Sequence, residues 1–267
     1  AKRGLERTTP LGRLFYSLPM GVFATQHFTN TNLVASIVPS WIPLHILWVY
    51  VVGTAIIAAA LSILLEIQAG LASALLGCMF LLFVVLMHIP NIVAAHGALL
   101  FWIIALRDLA FSGGAFSLAT TQLKGEGAPL YETQRLLTLC RFFVGIPAIV
   151  FGVDHFLHPT LAPGIPMEAI TPVWIPGRIF WANLTGMALI AGGACIVVNK
   201  QVRMAAKCLG SVILLVGVFV YLPMIAASPS DIDGGLNNFV DILAFSGTVL
   251  VLADAISKRT DNSRTAR

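Results

Sequence analysis

VPSWIPLHILWVYVVGTA (Val38–Ala55) and TPVWIPGRIFWANLTGMA (Thr171–Ala188) share Pro, Trp, Ile, Pro, Ile, Trp, Gly and Ala at a constant offset of 133. The offset continues downstream, where LLGCMFLLFVVLMHIPNI, ending at Ile92, lies over CLGSVILLVGVFVYLPMI, ending at Ile225. Upstream it becomes 128: Arg13, Phe15, Pro19, Val22, Phe23, His27 and Phe28 lie over Arg141, Phe143, Pro147, Val150, Phe151, His155 and Phe156. The second copy therefore has a longer first loop. A repeat of this length is a whole structural unit, not a short solenoid element, and predicts two fused domains.

The setting of those domains follows from composition. With 58% hydrophobic and 10% charged residues and a mean hydropathy of +0.89, the chain belongs in a bilayer. No charged side chain occurs between Arg13 and Glu66 or between Glu66 and Arg107. Backbone polar groups in hydrocarbon must be satisfied within the segment, which selects helices. The expected fold is an all-α integral membrane protein, with eight transmembrane helices as two parallel-repeat four-helix bundles. At about 20 residues per span, the helices fall at roughly 11–29, 43–65, 70–91 and 97–119, then roughly 136–156, 176–199, 203–225 and 236–257. The domains read as 1–123, a cytoplasmic linker 124–135, a second domain 136–257 and a basic tail 258–267.

Lys and Arg in short loops stay cytoplasmic. Lys2, Arg3, Arg7 and Arg13, then Lys124, Arg135 and Arg141, then Lys200, Arg203 and Lys207, then Lys258, Arg259, Arg264 and Arg267 all fall on one face if eight spans alternate. The opposite loops hold only Arg178. Both termini are thus expected to be cytoplasmic, in a multi-pass protein of the bacterial inner (plasma) membrane whose first partner is the lipid bilayer. The net charge of +4 is accounted for by this topology and does not point to nucleic acid. The tail KRTDNSRTAR reads as a disordered anchor at anionic lipid. The first hydrophobic segment lacks a clear cleavage site and has an internal counterpart at Arg141–Phe156, so it reads as a span and not as a signal peptide. The same topology places Cys78, Cys140, Cys195 and Cys208 in the inner halves of their spans, without a CxxC pair. The six histidines fall in the outer halves or outer loops.

These residues resemble the DoxX-like membrane proteins, four-helix units related to the DoxD subunit of thiosulfate:quinone oxidoreductases. The resemblance covers nearly the whole chain once per repeat. It rests on the Arg13–Phe28 and Arg141–Phe156 pattern ending in His-Phe, on the Trp-Ile-Pro opening of each second span, and on RDLAFSGGA from Arg107 and VDILAFSGTV from Val240. It implies a redox-associated accessory subunit, linked to quinone or electron transfer, that relies on a membrane protein partner for chemistry. Many relatives carry a Glu in the middle of the second helix. Here Glu66 sits at the cytoplasmic end, over Asn199.

Two groups of polar residues are candidate sites, since ionisable groups in a membrane are functional candidates by default. The first is an outer-side cofactor or proton-exchange pocket formed by Asp154, His155 and His158 with Tyr221 or His88; His27 is the first-copy counterpart of His155. Its alternative is an interfacial helix cap. The second is the intramembrane set Arg107, Asp108 and Asp241. Asp108 and Asp241 share a repeat position at offset 133, whereas Ala-Phe-Ser-Gly matches better at 134. As sequence neighbours on a helix do not face each other, Arg107 is expected to be a poor partner for Asp108 and either to reach Asp241 or to snorkel inward. This set reads either as a structural polar contact or as a proton path. No catalytic residue is identified, and no metal site is expected, because no histidine pair has i, i+4 spacing in a confident helix. Quinone is the foremost cofactor candidate and a tetrapyrrole the weaker one. The remaining function classes are a noncatalytic structural subunit of a larger membrane assembly and a small-molecule transporter. The loop from His158 to Pro176 is expected to cover the outer opening of the second bundle.

Overall fold

A computed structural model describes residues 10–97, 99–122, 130–161, 171–230 and 232–265. Helices make up most of this range: α1 (Pro10–Thr29), a short α2 (Thr31–Ile37), α3 (His45–Leu65), α4 (Ala69–Phe83), α5 (Ile89–Ala94), α6 (Leu99–Gln122), α7 (Leu130–Leu157), α8 (Arg178–Val197), α9 (Val202–Val216), α10 (Leu222–Ala227) and α11 (Asn238–Thr265). Single π turns, Val84–His88 and Gly217–Tyr221, fuse α4 to α5 and α9 to α10 into two continuous rods.

Seven of these rods are long and apolar enough to cross a membrane. They correspond to the second through eighth spans read from sequence. The eighth candidate, α1, is long enough at 20 residues but carries Arg13, Tyr16, Ser17, Thr25, Gln26 and His27 among its apolar residues. Two extents differ from expectation. The linker's last residues belong to α7, and the tail, expected to be disordered, continues α11 as far as Thr265. No proline interrupts Asn238–Thr265, and basic residues near a helix C-terminus complement its dipole. Residues 162–170 of the expected outer lid lie outside the described residues.

Local backbone features recur at offset 133. Leu44 and Gly177 precede the second rods with φ of 59° and 65°, while Glu66 and Asn199 end them with φ of 61° and 60°. The terminating hydrogen bonds match too, Ile67 N to Ser62 O at 3.0 Å and Lys200 N to Cys195 O at 2.9 Å. Non-glycine residues rarely adopt this left-handed conformation. Both π turns also obey the offset and are followed by Pro90 and Pro223.

The fourth rods decide how the halves meet. Around the molecule α1 touches α3, α3 touches α4, α4 touches α6, α6 touches α7, α7 touches α8, α8 touches α9, and α9 touches α11, which returns to α1. Thus α6 packs on α7, and α11 on α1. The two cross each other in the middle and are the most enclosed of the membrane-length rods. Glycines permit the close approach: a side chain on Gly113 would meet Phe143 and Val144, and one on Gly247 would meet the backbone of Phe15 and Tyr16. Phe143 and Val144 correspond to Phe15 and Tyr16 at offset 128, so the two contacts repeat each other.

Candidate functional site

Placing charges on α6 and α11 keeps them away from lipid, where an ionised group is costly. Arg107 and Asp108 lie short of the midpoint of α6, about 13 Å from its Leu99 end at 1.5 Å per residue. Asp241 enters from the first turn of α11. His88, the last residue of the first π turn, comes from the rod beside α6.

These four side chains form one connected cluster. His88 Nε2 lies 2.8 Å from Asp108 Oδ2, and Arg107 Nε donates to Asp108 Oδ1 at 3.2 Å. The same guanidinium reaches across the helix crossing to Asp241 Oδ2 at 3.5 Å. Asp108 and Asp241 are 6% and 4% exposed and His88 6%, so the charges answer one another in place of water. Of the two courses left open for Arg107 by the sequence, the guanidinium takes the one to Asp241, and its contact with Asp108 corrects the expectation of a poor pairing. The long guanidinium folds back over its own turn, so that Nε serves the adjacent carboxylate while Nη1 serves the other half.

The hydrogen bonds also settle the register. Ser112 Oγ donates to Gly77 O at 2.8 Å and Ser246 Oγ to Gly210 O at 2.9 Å. The acceptors are related by 133 and the donors by 134, so one residue is inserted before the fourth rod of the second half. Asp241 therefore corresponds to Arg107, and buried Ile242 to Asp108. The like pairing of Asp108 with Asp241 gives way to opposite charges at equivalent positions, in contact where α6 crosses α11. Tyr221 takes the place of His88 on the second π turn and is fully buried.

The outer group is arranged differently from expectation. Asp154 Oδ1 holds His158 Nδ1 at 2.8 Å, one helical turn apart, with His158 half exposed. His155, fully buried, donates through Nδ1 to Phe151 O at 2.7 Å. His27 repeats this with Phe23 O at 3.1 Å. The Cβ of His27 packs against Gly53 and that of His155 against Gly186, so the imidazoles are seated between α1 and α3 and between α7 and α8. His88 belongs to the Asp108 cluster and makes no hydrogen bond or ion pair with Asp154, His155 or His158.

Several polar anchors were not legible in the sequence. Tyr16 Oη donates to Phe111 O at 2.8 Å, and Gln26 Nε2 donates to Asn237 Oδ1 at 2.6 Å, both between α1 and elements of fourth rods. Arg141 donates to Ile196 O and Val197 O at 3.0 Å each, satisfying carbonyls at the end of α8. Its counterpart Arg13 instead pairs with Glu66 just past α3. The shared position of the two arginines was the available signal. Among the described residues no group of three or more His, Cys, Asp or Glu is placed to hold a metal ion.

An imidazole bonded to a carboxylate that is itself bonded to a guanidinium can orient a polar headgroup or hold a proton. His88 Nδ1 has no hydrogen-bond partner among the described residues. The fold and this cluster together define a multi-pass helical membrane protein with a charged interior. The chain matches no family model, no curated protein and no solved structure.

Proposed function

We propose that the protein is an accessory integral membrane subunit associated with a redox complex, quinone-linked or otherwise engaged in electron transfer. In this reading α1 is an eighth span, the chain consists of two parallel four-helix repeats that exchange contacts through their fourth spans, and both termini lie on the cytoplasmic face of an inner membrane. The recurrence of the left-handed caps, π turns and Ser–Gly hydrogen bonds supports the repeat. The observation that carries the function is the enclosed His88–Asp108–Arg107–Asp241 cluster within membrane-length rods. Enclosed charge of this kind is expensive, and proteins retain it where a lipophilic polar ligand or a proton is handled. With no flavin, iron–sulfur or c-type haem motif in the sequence, the redox chemistry would come from a partner protein. Gentle detergent extraction followed by mass spectrometry of everything bound tests this. A quinone and a redox-active membrane protein are expected; the protein recovered with neither refutes the proposal.

A second reading has its own support. Arg107 bonds both carboxylates at once, which is also what a purely structural clasp between the halves would do. A stoichiometric place in a larger assembly with no ligand bound would favour it.

A further inference from the structure

The end of the molecule that carries α2 has a shallow, widely open groove of roughly 750 Å³ between that helix and the start of α3. Asn32, Ser36, Ser40 and His45 supply its polar wall, and Ile42 and Leu44 contribute to its apolar one. Volumes of this order hold small lipophilic ligands. None of the charged residue types lines it, and none occurs between Arg13 and Glu66. The apolar wall does not stop at the rim: Ile46 and Leu47 line the groove and are 52% and 53% exposed on the flank of α3, a membrane-length helix most of whose residues are not buried inside the protein. Helix α2 has no buried residue and presents Leu33 outward at 65% exposure, with Trp41 and Leu44 at 63% and 69% beyond it. A soluble partner would meet an uncharged surface already at the membrane boundary, whereas a lipid enters without leaving its leaflet.

We propose that this groove is a binding site for one bilayer lipid without net charge, its headgroup hydrogen-bonded by Ser40, Asn32 and His45 and by the acceptor side of Ser36, whose hydroxyl donates to Leu33 O at 2.7 Å, and its chains continuing along Ile46 and Leu47. Hydroxyl, amide and imidazole groups can hydrogen-bond a headgroup whose own charges cancel or are absent, while a headgroup with net negative charge would find no Lys or Arg in the lining to balance it. The proposal rests on the membrane placement alone and stands apart from the redox reading.

The test is native mass spectrometry of the full chain extracted gently from membranes containing zwitterionic and anionic phospholipids. One zwitterionic or uncharged lipid per chain is expected. Ala35→Trp, which fills the groove, is expected to reduce its occupancy by about tenfold, equivalent to about 1.4 kcal/mol. Ser40→Trp, in the loop, provides an independent obstruction should Ala35→Trp fail to fold. The proposal is overturned if no lipid is retained, if the retained lipid is anionic, if neither folded variant lowers retention, or if a polypeptide is what the variants displace.

Discussion

Replacing Arg107 by Met removes the guanidinium that joins the two carboxylates while preserving much of the side-chain volume. Its contacts of 3.2 Å to Asp108 and 3.5 Å to Asp241 each correspond to about 5 kcal/mol of Coulomb attraction at an effective dielectric of about 20. Most of that offsets the cost of bringing the charges out of water, so the gross figure is not the loss. Removing one partner of a buried pair leaves the other uncompensated, at a typical cost of about 3–5 kcal/mol. Arg107 is 23% exposed, which places the expected loss at the lower end, about 3 kcal/mol. Arg107→Lys should fall between, since an ammonium lacks the planar fork that serves two carboxylates at once. The assay is equilibrium unfolding in mixed micelles, with Arg107→Met, Asp241→Asn and the double variant forming a cycle. A coupling of about 1–3 kcal/mol is expected for groups in one network. A loss under about 0.5 kcal/mol with no coupling would show that the three charges act independently, and the clasp between the halves would have to be abandoned.

Four further outcomes rest on packing, hydrogen bonding and helix ends. Gly247→Ala should cost about 1–3 kcal/mol because its methyl meets the backbone of α1. Gly21→Ala, with nothing within 4 Å, should be neutral or stabilising in the same unfolding assay. Ser112→Ala and Ser246→Ala should each cost about 0.5–1.5 kcal/mol, and their near equality is what equivalent bonds require. Arg141→Met should speed hydrogen exchange in the last turn of α8, because the Ile196 and Val197 carbonyls lose their donors.

The sequence was most informative where chemistry repeats along the chain. The Trp-Ile-Pro segments and uncharged stretches located seven membrane-length rods to within a few residues of their observed ends. It was silent on which rods touch. Apolar stripes do not name their partners, so the packing of α6 on α7 and α11 on α1 had no signature beyond Gly113 and Gly247, read only as general packing glycines. The left-handed Glu66 and Gln68 and the π turns depend on backbone geometry that side-chain types do not encode. Arg107, Asp108 and Asp241 were visible as intramembrane charges, but joining them to His88 required the π turn that aims its ring at α6. The one-residue insertion that places Asp241 over Arg107 became decidable only through the two serine bonds.

Whether α1 crosses the bilayer is the point on which the duplicated architecture depends. Topology reporters fused ahead of Pro10 and after α11 read it directly, because eight crossings leave the two ends together and seven leave them apart. The account predicts both reporters in the cytoplasm. Reporters on opposite faces would make α1 a surface helix, deprive the first half of a span that the second half has in α7, and contradict the parallel repeat.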